Sequence, residues 1–202
     1  SLEVVSAGHA RHNGVLRMKK AVLATLIGAA LFSGATLAAD QGSDFDRVEA
    51  RFIDFGDDVD GFGLDGRVML SESIYFTADY SQLSEGDADF DQIFAGIGYK
   101  HDFSEKFAGF ADVNLYYADI DGIDDDTGYA VQVGGVYRLN PAVEFSGLVR
   151  HVDNDIFVDS EQEYELSARW YINNQFSLSA TYVDGFDSDW FDGYSIGAAW
   201  HF

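Results

Sequence analysis

The side chains able to do chemistry in this chain are mostly carboxylates: 35 Asp and Glu stand against 12 Lys and Arg, with 5 His, no Cys and a net charge of −23. That balance leaves nothing to line a basic groove, so nucleic acid is not an expected partner. The acids concentrate in five stretches. They are Asp57, Asp58 and Asp60; Glu85, Asp87, Asp89 and Asp91; Asp119, Asp121, Asp124, Asp125 and Asp126; Asp153, Asp155 and Asp159; and Asp184, Asp187 and Asp189. Carboxylates are the ligands of hard cations, yet no EF-hand register exists. Counted from Asp87, Gln92 stands where Gly is required and Gly98 where Glu is required; counted from Asp119, the residues are Asp124 and Ala130. The stretches read as solvated loops, with no resident metal and no cofactor. For acid–base or nucleophilic work, His151 with Asp153 or Asp155 is the one candidate, and no Ser stands in register beside it.

The elements that must position these groups announce themselves by a repeat. Leu70-Ser-Glu-Ser-Ile74, Phe103-Ser-Glu-Lys-Phe107, Leu139-Asn-Pro-Ala-Val143 and Ile172-Asn-Asn-Gln-Phe176 share one pattern: apolar, Ser or Asn, two residues, apolar. Their first residues are 33, 36 and 33 apart (103−70, 139−103, 172−139), and the single Pro lies in one of them. Each reads as a tight turn between two strands. With the longer Asp-rich loops between them, the turns divide the chain into ten strands: 46–54, 61–70, 74–82, 92–103, 107–118, 128–139, 143–152, 162–172, 176–183 and 193–202. An even strand number suits a closed up-and-down barrel, and eight strands is the alternative if the first hairpin pairs differently.

Strand side chains alternate between two faces, and the two faces here differ completely. One carries residues such as Phe62, Leu64, Ile97, Val113, Leu115, Val131, Val133, Leu166 and Ile196, and no Asp, Glu, Lys or Arg. The other carries Glu49, Arg51, Asp65, Arg67, Asp79, Asp112, Arg138, Glu144, Arg150, Glu165 and Arg169, together with Arg47, Lys100 and Asn114. Acids alternating with Arg suit an enclosed space. Aromatics mark both ends of the apolar face: Tyr80, Tyr117, Tyr129, Tyr164, Tyr182 and Tyr194 near the long loops, and Tyr99, Tyr137, Trp170, Trp200 and Phe202 near the turns. Two such rings are what bilayer interfaces select. The expected fold is therefore an all-β, antiparallel up-and-down transmembrane β-barrel with its apolar face in lipid. A mean hydropathy of −0.09 agrees with that, since alternation hides the membrane face in the average.

The leading residues read as an address. From Met18 the chain runs MKKAVLATLIGAALFSGATLAAD: Lys19 and Lys20, an apolar run from Ala21 to Phe32, then small residues to Ala39. This is a three-part secretory signal, 18–39, too short in its apolar part to span a bilayer. Cleavage is expected after Ala38 or Ala39. Residues 1–17 precede the signal and read as an upstream extension from a misplaced translation start, which leaves 40–202 as the barrel domain.

The final strand, Tyr194-Ser-Ile-Gly-Ala-Ala-Trp-His-Phe202, places Tyr194, Ile196, Ala198, Trp200 and Phe202 at every second position. It resembles the carboxy-terminal β-signal read by the barrel-assembly machinery. With the leader, the chain resembles the small bacterial outer-membrane β-barrel (porin-like) family over its whole mature length. DGFGLDGR at 60–67 and DFDQIFAGIGYKHDFS at 89–104 are similar to a group of short barrels known as sulfation-dependent quorum factors. The resemblance implies an outer-membrane location in a Gram-negative envelope, with lipid and lipopolysaccharide as surroundings and divalent ions loosely bridging the acidic loops to its phosphates. It brings no catalytic residues. Three functions follow in order: a non-enzymatic structural or surface-interaction role in the envelope, a narrow porin-like channel for ions or small solutes, and a hydrolase at the rim using His151.

Overall fold

The computed structural model describes residues 45–56, 59–86, 88–120, 125–153, 161–186 and 192–202. The leader and the residues before it, Asp57, Asp58, Asp87, Asp121, Asp124, Asp155, Asp159, Asp187 and Asp189 lie outside the described residues. Ten strands follow in order: β1 (Arg47–Asp54), β2 (Val59–Met69), β3 (Ile74–Glu85), β4 (Ala88–Ser104), β5 (Phe107–Ile120), β6 (Asp125–Asn140), β7 (Val143–Asp153), β8 (Glu161–Tyr171), β9 (Phe176–Gly185) and β10 (Gly193–His201). Each pairs antiparallel with its sequence neighbours, and β10 returns to β1 to close the barrel. The eight-stranded alternative is thereby excluded: all of β1 is paired on both edges, from Arg47 opposite His201 and Arg67 to Asp54 opposite Tyr194 and Asp60. Closure leaves no unpaired edge, the condition for a sheet in lipid.

The repeated turns have a common chemical cause. Asn173 Oδ1 accepts the backbone N–H of Gln175 at 2.8 Å and of Phe176 at 2.9 Å. Asn140 Oδ1 accepts from Ala142 at 2.8 Å, Ser104 Oγ accepts from Phe107 at 3.1 Å, and Ser71 Oγ accepts from Ile74 at 3.1 Å. The Ser or Asn after each apolar residue thus takes up the N–H groups that the reversal leaves without strand partners.

At the other end the strands run further than the composition suggests. Asp60, Glu85, Asp89, Asp91, Asp119, Asp125, Asp126, Asp153 and Asp184 read as loop residues in the sequence and stand in strands. Antiparallel ladders are made by backbone groups, so acidic side chains do not end them once both faces meet water. Several of these acids also hold the outer aromatic ring. Tyr80 donates to Asp91 at 2.6 Å, Tyr129 to Asp153 at 2.8 Å, and Tyr164 and Tyr182 to Asp184 at 2.7 and 3.0 Å.

The two faces separate as the alternation requires. Leu115 is 75% exposed and Val133 60%, and Phe62, Ile97, Val113, Leu166 and Ile196 are also exposed on the outside. Soluble monomers rarely present so continuous an apolar surface to water. The inside is polar, but less uniformly than the charged set suggests. Phe45, Tyr75, Phe110, Val136 and Leu148 form one apolar cluster, and Phe94, Tyr116, Ala118, Ala130 and Val152 another.

Candidate functional site

The candidate site is the lumen, and Glu49 is one of its most heavily bonded carboxylates. It is buried, with Arg47 Nε at 3.2 Å and Arg169 Nη2 at 2.5 Å, and it also accepts from Ser179 Oγ. Arg47 bridges onward to Asp65, and Arg169 Nη1 donates to Ser177 Oγ at 3.0 Å. Ser177 in turn lies 2.8 Å from Nε2 of the buried His201. This chain of contacts runs across β2, β1, β10, β9 and β8, so it braces the seam where the first and last strands meet. Gly197 makes room for it, because a Cβ there would collide with the Glu49 carboxylate and Ser179.

Higher in the lumen, Arg51 Nη2 donates to both Asp79 oxygens at 2.7 and 2.6 Å. Arg150 pairs with Glu163, lies 3.9 Å from Glu165, and donates from Nε to Gln132 Oε1 at 2.9 Å. Near the turns, Arg138 reaches Glu144 at 2.7 Å and stacks 4.9 Å from the centre of the Tyr171 ring. The tyrosine also bonds Glu144 at 3.1 Å. Charge-assisted bonds of this kind are the form in which ions persist inside a protein.

Asp112 departs from the acid–Arg pairing. It is held by neutral donors: Tyr75 OH at 2.6 Å, Asn114 Nδ2 at 2.6 Å and Gln132 Nε2 at 2.9 Å. Gly98, opposite both Tyr75 and Asp112 in the ladder, leaves the space through which the phenol reaches across. Arg67 lies over two rings, 5.6 Å from the centre of Phe45 and 5.0 Å from that of Phe110, the geometry of a cation–π contact. The inward aromatics were missed in the sequence because hydrophobicity sends them outward; only their parity with Asp79, Lys100, Asp112 and Arg169 on the same strands places them inside.

Among the described residues, three cavities of about 20, 60 and 30 Å³ lie along the lumen, and Arg51 and Glu165 line all three. Each exceeds the roughly 10–15 Å³ that a water needs, and none would hold more than a few waters. At the loop-side exit Glu161 titrates at about 7, raised first by its burial and then by the neighbouring Glu163 carboxylate.

At the rim, His151 faces outward between Val131 and Gln162, and Asp153 is taken by the Tyr129 hydroxyl. Asp155 lies outside the described residues. Among the described residues no three His, Asp or Glu side chains converge as a metal would need. In β10, Tyr194 and Ile196 stand against Tyr182 and Ala180, and Ala198 and Trp200 against Leu178 and Phe176, on the apolar face. Trp200 contacts Phe202 at 5.2 Å between rings.

No family model matches the chain, and no curated protein matches it. Among solved structures it is similar to the KdgM porin in complex with disordered oligogalacturonate, at 6% identity over 77% of this chain and 99% of that one, with a TM-score of 0.50. It is likewise similar to the NanC porin, at 7% identity over 78% of this chain and 98% of that one, with a TM-score of 0.51. At these identities the likeness is one of fold. The protein is a closed ten-stranded antiparallel up-and-down transmembrane β-barrel, the fold it shares with those two porins.

Proposed function

We propose that the protein is a non-enzymatic integral outer-membrane barrel that acts as a narrow porin-like pathway for ions and water-sized solutes, shut at rest by its Arg–carboxylate layer. The observation that carries this reading is the run of three small cavities along one polar lumen, all lined by Arg51 and Glu165. A barrel needing only a filled interior would be built more cheaply from apolar side chains, because desolvating each ion costs several kcal/mol. Keeping charges beside water-sized spaces is what a passage requires. The Arg51–Asp79 bridge lines both the 60 and the 30 Å³ cavities, and a rotamer change in Arg51 would alter the space between them. The porin names of the two fold neighbours favour the same reading. Outer-membrane location, contact with lipopolysaccharide, cation bridging at the acidic rim and recognition of β10 by the assembly machinery belong to this proposal. So does kinship with the quorum-factor barrels, which adds no site residue.

Conductance across a planar bilayer is the test. Purified protein is expected to give small, infrequent openings, and Arg51→Ala combined with Asp79→Ala is expected to enlarge or prolong them. Silence from both proteins, once folding in the bilayer is verified, would refute the channel. It would select the second reading, a purely structural barrel, which the apolar cluster across the turn-side end favours.

A further inference from the structure

That apolar cluster contains one residue unlike the others. Tyr75, Phe110, Val136 and Leu148 stand on strands and are held by the ladder, and the Tyr75 hydroxyl is also fixed on Asp112 at 2.6 Å. Phe45 precedes β1 and belongs to no strand, yet it is only 3% exposed. Its ring meets Tyr75 edge-on at 5.0 Å and Phe110 at 5.8 Å. Two cations face the same ring: the Arg67 guanidinium at 5.6 Å and Lys100 Nζ at 5.3 Å.

The neighbouring residue explains why the ring enters the barrel. Asp46 Oδ1 accepts the Met69 N–H at 2.9 Å, and its carbonyl accepts the Phe202 N–H at 3.3 Å. The backbone is thus tied to the ends of both adjacent strands, and the next side chain upstream is directed across the mouth. Phe110 and Leu148 belong both to this cluster and to the wall of the 20 Å³ cavity, so the cluster lies at the turn-side end of the lumen's free space.

We infer that Phe45 is the stopper of the turn-side mouth, and therefore the residue that sets the size of what passes there. The inference deepens the channel reading and rests on it for its use. Phe45 stands outside the ladder, and the two ties to the flanking strands are made by Asp46. Every other member of the cluster stands within a strand.

The chain has no Cys, so one introduced thiol is a unique reporter. Ser146→Cys places it in the wall of the 20 Å³ cavity, and Ser195→Cys places it in the wall of the 60 Å³ cavity toward the loops. Each is made with Phe45 and with Phe45→Ala, folded into phosphatidylcholine vesicles, and labelled with a small methanethiosulfonate reagent. Phe45→Ala is expected to speed labelling at Ser146→Cys several-fold and to leave Ser195→Cys unchanged, since the opening is local. Unchanged labelling at Ser146→Cys overturns the stopper. An equal rise at both sites also overturns it, because the barrel as a whole has then loosened. The labelling result does not depend on conductance: faster labelling with silent bilayers keeps the stopper and removes the channel, and conduction with unchanged labelling does the reverse.

Discussion

Replacing Val133 by Arg asks directly whether the apolar face meets lipid. Val133 stands on β6 between Ala111 and Val149, is 60% exposed, and lies four residues from Tyr129 on one side and four from Tyr137 on the other. It therefore sits midway between the aromatic rings. Thr127 is on the same face of the same strand, six residues nearer the loops and exposed. At about 3.4 Å per residue and a strand tilt of about 40°, six residues rise about 15 Å along the membrane normal. That exceeds half of an apolar band about 25 Å tall, so Thr127 lies at or beyond the interface. Val133→Arg is expected to cost about 2–4 kcal/mol and Thr127→Arg no more than about 1 kcal/mol. The measurement is urea unfolding of protein folded into phosphatidylcholine vesicles, compared with the unmodified chain. Equal costs at the two depths, or no cost at Val133, would show that this face does not lie in hydrocarbon and that inside and outside have been assigned wrongly.

Four further outcomes are expected. Glu49→Ala strands the buried Arg169 and should cost about 3–5 kcal/mol in the same unfolding assay, whereas Glu49→Leu with Arg169→Leu should recover most of that loss. Glu161 has a folded pKa of about 7 against an ordinary 4.5, so its contribution favours the folded state most at low pH. Stability should fall as pH rises between those values, and Glu161→Gln should flatten the slope in a pH series of unfolding midpoints. Deleting Phe202 removes burial worth roughly 1.5–3 kcal/mol, so refolding in detergent should stay nearly normal. In cells the truncated protein should instead accumulate in the periplasm and be degraded; normal surface levels would leave Phe202 an ordinary ring residue. Finally, intact-mass measurement of protein from outer membranes should show a start at Ala39 or Asp40, and retention of residues 1–17 would refute the signal assignment.

Much of the architecture was legible because the barrel rests on two short-range regularities. A period of two assigns each side chain to a face, so Val113 and Asp112, adjacent in the chain, separate without any knowledge of their partners. The Ser and Asn of the turns act on N–H groups two and three residues away, so Ser71, Ser104, Asn140 and Asn173 mark the hairpins in the sequence itself. The strand ends toward the loops were less legible. Asp89, Asp119 and Asp126 look like loop residues, but backbone ladders continue past the membrane wherever both strands persist.

The lumen is where local pattern stopped being informative. Alternation by itself determined that Glu49, Arg51, Asp79 and Arg169 share the inside, and that the outside between the two aromatic rings carries no charge. It could not pair them, because Glu49 meets Arg169 across 120 residues and Ser179 across 130. Those distances close only when β10 returns to β1, and the register of that closure is a property of the whole ring. The registers of neighbouring hairpins decided that Asp112 is served by Tyr75, Asn114 and Gln132, that His201 meets Ser177, and that Phe45 packs on Tyr75 and Phe110. Sequence determined which side of the wall each residue occupies, since that depends on backbone geometry within one strand. Tertiary structure alone decided which residues meet, since contact inside a barrel depends on stagger summed over ten strands.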